Sequence, residues 1–216
     1  MSVKASKINI NGEKGSFYYK NNILDDNDVI DLNNLLNNLE FREGQCISGK
    51  EIPRLQLWFQ EKNKYFCETW KKRYHRWEST HYTEDLYKFQ NKIINKIQDL
   101  DLKKMKINSC LINKYRTGTD SIKPHRDSSI SFGEYPKIII YSLGDTRILR
   151  FRQILYNENL PESLKVDDSK DPIDYELKSN SIFVMDGCSQ KYFTHEILKN
   201  DSKLSRYSLT FREYIY

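Results

Sequence analysis

The chain has 216 residues, and 35 Lys and Arg against 30 Asp and Glu give a formal charge of +5. That length suits one large domain with its own core, and the mild basicity admits a polyanionic partner without identifying one. A mean hydropathy of −0.77 raises the question of disorder, but 3 Trp, 15 Tyr and 10 Phe exclude it, because disordered chains are poor in aromatics.

Along the chain, the Asn- and Asp-rich stretch 21–38 hides a helical pattern. Val29, Leu32, Leu35, Leu36 and Leu39 recur at intervals of three and four, which builds one apolar face. Asp25 and Asp26 stand where carboxylates cap free amides. Residues 70–77 interleave four basic side chains with Trp70, Tyr74 and Trp77, a combination that neutralises phosphates and stacks on unpaired bases. It serves equally as an amphipathic surface segment. A second helix is expected over 83–100, with Leu86, Phe89, Ile93 and Ile97 on one side. Residues 103–106 form a further basic run that reads as a solvated face.

From residue 106 onward the texture becomes short strand-like runs at 107–115, 138–142, 147–151, 175–177, 181–185, 193–198 and 205–211. Residues 142–145 and 185–187 read as turns, and 156–172 as a long polar loop. Strands at this spacing indicate an antiparallel sandwich or barrel. The expectation is an α+β chain in one compact unit, with a helical region at 1–105 and a β core at 106–216. No apolar run approaches the ~20 residues of a membrane span, and the first residues lack the apolar stretch of a secretory signal. Cys46, Cys67, Cys110 and Cys188 show no CxxC spacing. Reduced thiols in an intracellular compartment, nucleus or cytoplasm, are therefore expected.

Three clusters carry chemistry. His125 and Asp127 are two apart, so an extended backbone turns both to one side and Arg126 away. With the distant His195 they make two imidazoles and a carboxylate, the facial set that leaves open positions on a non-haem iron. An isolated HxD is equally an ordinary surface triplet. The kinase reading of His-Arg-Asp fails, because that loop needs Asn five residues after the Asp and Phe132 stands there. In 206–212 polar and apolar residues alternate, placing Arg206, Ser208, Thr210 and Arg212 on one face and Tyr207, Leu209 and Phe211 on the other. Two arginines and no acid suit a dicarboxylate, though the same face could be solvated. Asn113 and Tyr115 share a face ten to twelve residues before His125, where an amide and a phenol could bind the same ligand.

Taken together, Leu111-Ile-Asn113-Lys-Tyr115, His125-Arg126-Asp127, Ser142-Leu143-Gly144, His195 and the run from Arg206 to Arg212 resemble the AlkB family, closest to its nuclear DNA repair branch. The likeness covers residues 106–216, about half of the chain. It implies a double-stranded β-helix (jelly-roll) core preceded by N-terminal helices and a nucleotide-recognition lid. It also implies an Fe(II)- and 2-oxoglutarate-dependent dioxygenase that demethylates or otherwise dealkylates N-alkylated bases of DNA or RNA. In such a reaction dioxygen is split, 2-oxoglutarate loses CO2 to become succinate, and the hydroxylated N-alkyl group leaves as an aldehyde. Carried over, His125, Asp127 and His195 ligate Fe(II). Arg206 and Tyr115 hold the distal carboxylate of 2-oxoglutarate, with Arg212 and Asn113 near the carboxylate that chelates the metal.

Ser208 stands where relatives have Asn in that pocket. Pro53, Arg54 and Trp58 resemble the start of the lid and, with Ser128, are the candidate substrate contacts. Ser128 and Ser129 follow Asp127 where many members carry an acid against the damaged base, which leaves the preferred base open. Arg150 and Arg152 are similar to the family's arginine-bearing strand. The expected partners are alkylated nucleic acid and dioxygen, with the protein a monomer off the membrane. Two alternatives stand beside this reading: the same oxygenase chemistry on a protein or small molecule, and a non-catalytic nucleic-acid-binding module.

Overall fold

The computed structural model describes residues 3–45, 50–61, 79–97, 105–161 and 163–215. The basic and aromatic stretch 70–77, Cys46, Cys67, Lys103 and Lys104 lie outside the described residues.

The chain opens with a hairpin of β1 (Val3–Ile10) and β2 (Glu13–Asn21). Its two-residue loop is set by Asn11 and Gly12, with φ of 54° and 83°, the positive-φ pair that matches the twist of a tight hairpin. Helix α1 (Asp26–Asn37) follows, capped by the Asp25 carboxylate, which accepts from the Asp28 N–H at 2.9 Å. Next come β3 (Arg42–Gln45), β4 (Glu51–Gln60), β5 (Thr80–His81) and α2 (Glu84–Asn95). The Thr83 hydroxyl caps α2 by accepting from the Leu86 N–H, a contribution of about 1 kcal/mol.

The second half runs β6 (Ser109–Tyr115), β7 (Ile122–His125), α3 (Ser129–Phe132), β8 (Ile138–Gly144), β9 (Arg147–Gln153), β10 (Ile173–Leu177), β11 (Ser181–Gly187), α4 (Ser189–Tyr192), β12 (Phe193–Ile197) and β13 (Arg206–Arg212).

Two sheets face each other. The larger runs β1-β2-β11-β8-β13-β6-β4-β3, with β5 beside β4, and the smaller runs β10-β9-β12-β7. Period two sorts the large sheet. Leu57, Phe59, Cys110, Ile112, Ile139, Tyr141, Tyr207, Leu209 and Phe211 point outward against Leu32 and Leu36 of α1 and Leu86, Phe89 and Ile93 of α2. The inner face packs Phe17, Tyr19, Ile138, Ile140, Phe183 and Met185 against Leu149, Phe151, Phe193 and Ile197 of the small sheet. This is a double-stranded β-helix with α1 and α2 on one outer face.

Two expectations are corrected. The first half is not simply helical, since it supplies five strands, and β2 and β4 pair directly with β11 and β6. The polar residues, Lys and Asn among them, through 3–16 masked β1 and the start of β2. Residues 185–187 are not a turn but the end of β11, which continues as far as Gly187 opposite Gly15. A Cβ on Gly187 would lie 2.8 Å from the Gly15 Cα, and its φ is +60°, so glycine is required for the strands to meet there. The loop after β9 is as expected long, and among its described residues a bridge joins Ile154 and Val166.

Candidate metal centre

Strands β7 and β12 are paired with His125 directly opposite His195, and their ring centroids lie 4.1 Å apart. Asp127 follows two residues past the end of β7. One donor atom from each of the three lies within 4.8 Å of the others. Arg126 turns away, donating to the carbonyls of Lys191 and Pro161.

Hydrogen bonds prepare these side chains. His125 Nδ1 is 2.9 Å from the Lys123 carbonyl. A carbonyl only accepts, so Nδ1 carries the proton and Nε2 offers its lone pair. Nδ1 of His195 is buried without a hydrogen-bond partner. Burial holds both imidazoles below the usual histidine range, with Arg212 adding to the effect on each. Burial works against the charge of Asp127, but Arg212 and the two imidazoles outweigh it and lower its pKa. Arg212 Nε donates to Asp127 Oδ2 at 2.6 Å, and the Asp127 N–H donates to Gln190 Oε1 at 3.0 Å. Neutral imidazoles and an ionised carboxylate, with outer partners orienting His125 and Asp127, fit a divalent iron.

The inner face of β13 leads away from this cluster. Arg206, Ser208, Thr210 and Arg212 are all buried, so the solvated alternative fails. Arg206 is 0% exposed. Its Nη2 donates to Ser142 Oγ at 2.8 Å, while Nε and Nη1 have no partner. A buried guanidinium with two unused donors is costly unless an acceptor arrives, and a carboxylate oxygen is the charged acceptor that suits it. Tyr115 packs against two buried guanidinium groups, its ring centroid 5.1 Å from Arg206 Cζ and 5.4 Å from Arg147 Cζ. Register lays Gln56, Asn113, Ser208 and Ser142 side by side across four strands. The lining is polar and rich in positive charge, which fits a dicarboxylate.

Arg147 escaped the sequence reading. Fully buried, it donates to the carbonyls of Thr117, Gly118, Asp120 and Leu198, and nothing in the local sequence announces those acceptors. Arg150 and Arg152 face elsewhere, paired with Asp174 and Glu196.

The four candidate substrate contacts separate. The Pro53 carbonyl accepts from the Ser121 N–H. Arg54 reaches the pocket wall, donating from Nε to Asn113 Oδ1 at 3.0 Å and from Nη1 to the Ser121 carbonyl. Trp58 is corrected from a substrate contact to a support: at 3% exposure it clusters with Leu111, Phe132 and Tyr214, and Phe132 in turn lies under the Arg212 guanidinium. No face of that indole is open to a base. Ser128 is half-buried directly beside Asp127, at the start of α3, and its hydroxyl makes no capping bond.

Comparison with known proteins follows the same lines. The 2OG-Fe(II) oxygenase superfamily matches residues 16–212. The chain is 33% identical over 106 residues to the alpha-ketoglutarate-dependent dioxygenase alkB homolog 3 of Bos taurus, and equally to those of Mus musculus and Homo sapiens. Each match covers 49% of this chain and 36% of the relative, little more than a third of its length. Among solved structures, that of OsALKBH1 superposes with a TM-score of 0.59 at 13% identity, over 91% of this chain and 96% of that one. A 2OG-Fe(II) oxygenase family oxidoreductase from Burkholderia pseudomallei gives 0.60 at 12% identity, over 91% and 84%. A Trichoplax adhaerens prolyl hydroxylase bound to a peptide fragment gives 0.55 at 14%, over 92% and 83%. At such identities these three share the fold. The family match over most of the chain, on a jelly roll with this donor set, makes the protein an AlkB-like member of the 2OG-Fe(II) oxygenase superfamily, which works with Fe(II) and 2-oxoglutarate.

Proposed function

We propose that this oxygenase removes N-alkyl groups from nucleic-acid bases, in DNA or RNA. His125, Asp127 and His195 hold Fe(II). Arg206 and Tyr115 take the distal carboxylate of 2-oxoglutarate, and Arg212, Asn113 and Ser208 line the wall nearer the metal. The bound iron, with dioxygen and the oxo-acid, supplies the oxidation of a C–H bond. The chain supplies placement: two neutral imidazoles, a carboxylate steadied by Arg212, and a water-poor arginine pocket.

The observation that carries the chemistry is the pair of unused donors on the buried Arg206, on the inner sheet face that also carries Arg212, the partner of Asp127. The base as substrate is supported by the likeness to the alkB homolog 3 proteins over 106 residues and by the basic, aromatic stretch 70–77. A base inside a duplex would have to leave the stack to reach the metal, or be single-stranded.

The test is incubation with Fe(II), 2-oxoglutarate and single- and double-stranded oligonucleotides carrying different N-methyl lesions. Formaldehyde in step with succinate, and loss of a methyl mass from the oligonucleotide, is the expected result. Succinate formation with no DNA or RNA substrate altered would move the activity to a protein or small molecule. Ser128 favours that second reading, since an acid against the damaged base is missing beside Asp127.

A further inference from the structure

Asn113 sits on β6 directly opposite Gln56 of β4. Its Oδ1 accepts two hydrogen bonds, from Arg54 Nε and from Gln56 Nε2, each at 3.0 Å. Gln56 is buried at 6% exposure, and nothing in the sequence reading marked it.

A guanidinium has donors only. The atom of Asn113 that meets Arg54 must therefore be the oxygen, which fixes which way its carboxamide is turned. With that oxygen set, the atom of Gln56 that meets it must be the nitrogen. One arginine thus decides the orientation of both amides. Both lone pairs of Asn113 Oδ1 are then used on the β4 side, and the planar amide directs its NH2 away from β4, toward the strand that carries Ser208 and Arg206. Turning the amide over would set an NH2 against two donors and lose two buried hydrogen bonds, each leaving an unsatisfied group.

We infer that Arg54 and Gln56 are positioning residues of the oxo-acid pocket, locking the Asn113 carboxamide so that its two N–H bonds face the bound co-substrate. The inference rests on the assignment of Asn113 to the 2-oxoglutarate wall made above. It gives Arg54 a place in the co-substrate pocket rather than on a substrate lid.

The test measures 2-oxoglutarate binding to the full chain loaded with Mn(II), by calorimetry, with no nucleic acid present, so base dealkylation and this positioning are judged in separate experiments. Gln56→Glu puts an acceptor against the Asn113 Oδ1 that Arg54 still holds, loosens the carboxamide and should weaken binding about tenfold, the scale of one hydrogen bond to a charged group. Asn113→Ala should weaken it similarly, and the double variant no further, because both act through one amide. Unchanged binding in Gln56→Glu, or losses that add in the double variant, would overturn the inference. Asn113→Asp gives a second measurement should Gln56→Glu fail to fold. Held by the same two donors, its carboxylate points an oxygen at the incoming carboxylate, so it should bind more weakly than Asn113→Ala. Binding equal to that of the unaltered protein would overturn the inference as well.

Discussion

The two ends of the inner pocket are built on opposite terms. At the metal end one ligand, His125, keeps 31% of its side chain open beside the buried side chains of Asp127 and His195, and its strand β7 has four residues. At the other end Arg206 and Arg147 are entirely enclosed, with Arg147 stitched to four carbonyls from two segments. The difference follows from what each end has to do. A metal that meets dioxygen, an oxo-acid and a third molecule needs access. A site that recognises a carboxylate by charge needs water kept out, because the same attraction is several-fold weaker in solvent.

The comparison can be broken most forcefully at the open end. Asp127→Ala removes a donor and leaves Arg212 without its carboxylate. Succinate formation should fall beyond the ~10–100-fold typical of losing an outer partner, with metal binding lost alongside it. At the closed end, Arg206→Met should raise the KM for 2-oxoglutarate about a hundredfold while kcat changes little, since uniform binding is what is removed. Arg206→Lys should rescue poorly, lacking the fork of donors.

The smallest effect probes the packing behind the pocket. Asp120 accepts from the Arg116 backbone and guanidinium, and its own carbonyl accepts from Arg147. Burial opposes its charge, but Arg116 outweighs burial and holds its carboxyl below the usual range. A carboxyl lowered on folding adds stability above its unfolded pKa, lost as pH falls through the folded value. Asp120→Asn should cost about 2 kcal/mol in urea unfolding at neutral pH and flatten the decline in acid.

How much of this was legible depended on distance along the chain. The alternation in β13 announced both its faces, because a period of two needs no tertiary knowledge. His125 and Asp127 were legible for the same reason, and His195 only as a residue type, its approach being made by the pairing of β12 with β7. Arg147 and Gln56 were silent, since the carbonyls and the amide they serve belong to other strands. The Asn11-Gly12 turn was a readable hairpin signal, yet flanking lysines and asparagines diluted the apolar pattern. Trp58 misled in the other direction: its likeness to the start of a recognition lid suggested a substrate contact, and the fold buries it against Phe132, which underlies Arg212.

The bonding of β4 along β6 has a practical consequence for anyone wishing to shorten the protein. A fragment starting at residue 106 would retain His125, Asp127, His195 and both arginines of the last strand. It would also bare the flank of β6, a ladder of unpaired amides and carbonyls inviting association with other copies. The half that bears the chemistry is therefore not a portable cassette, because its neighbour upstream is one of its walls.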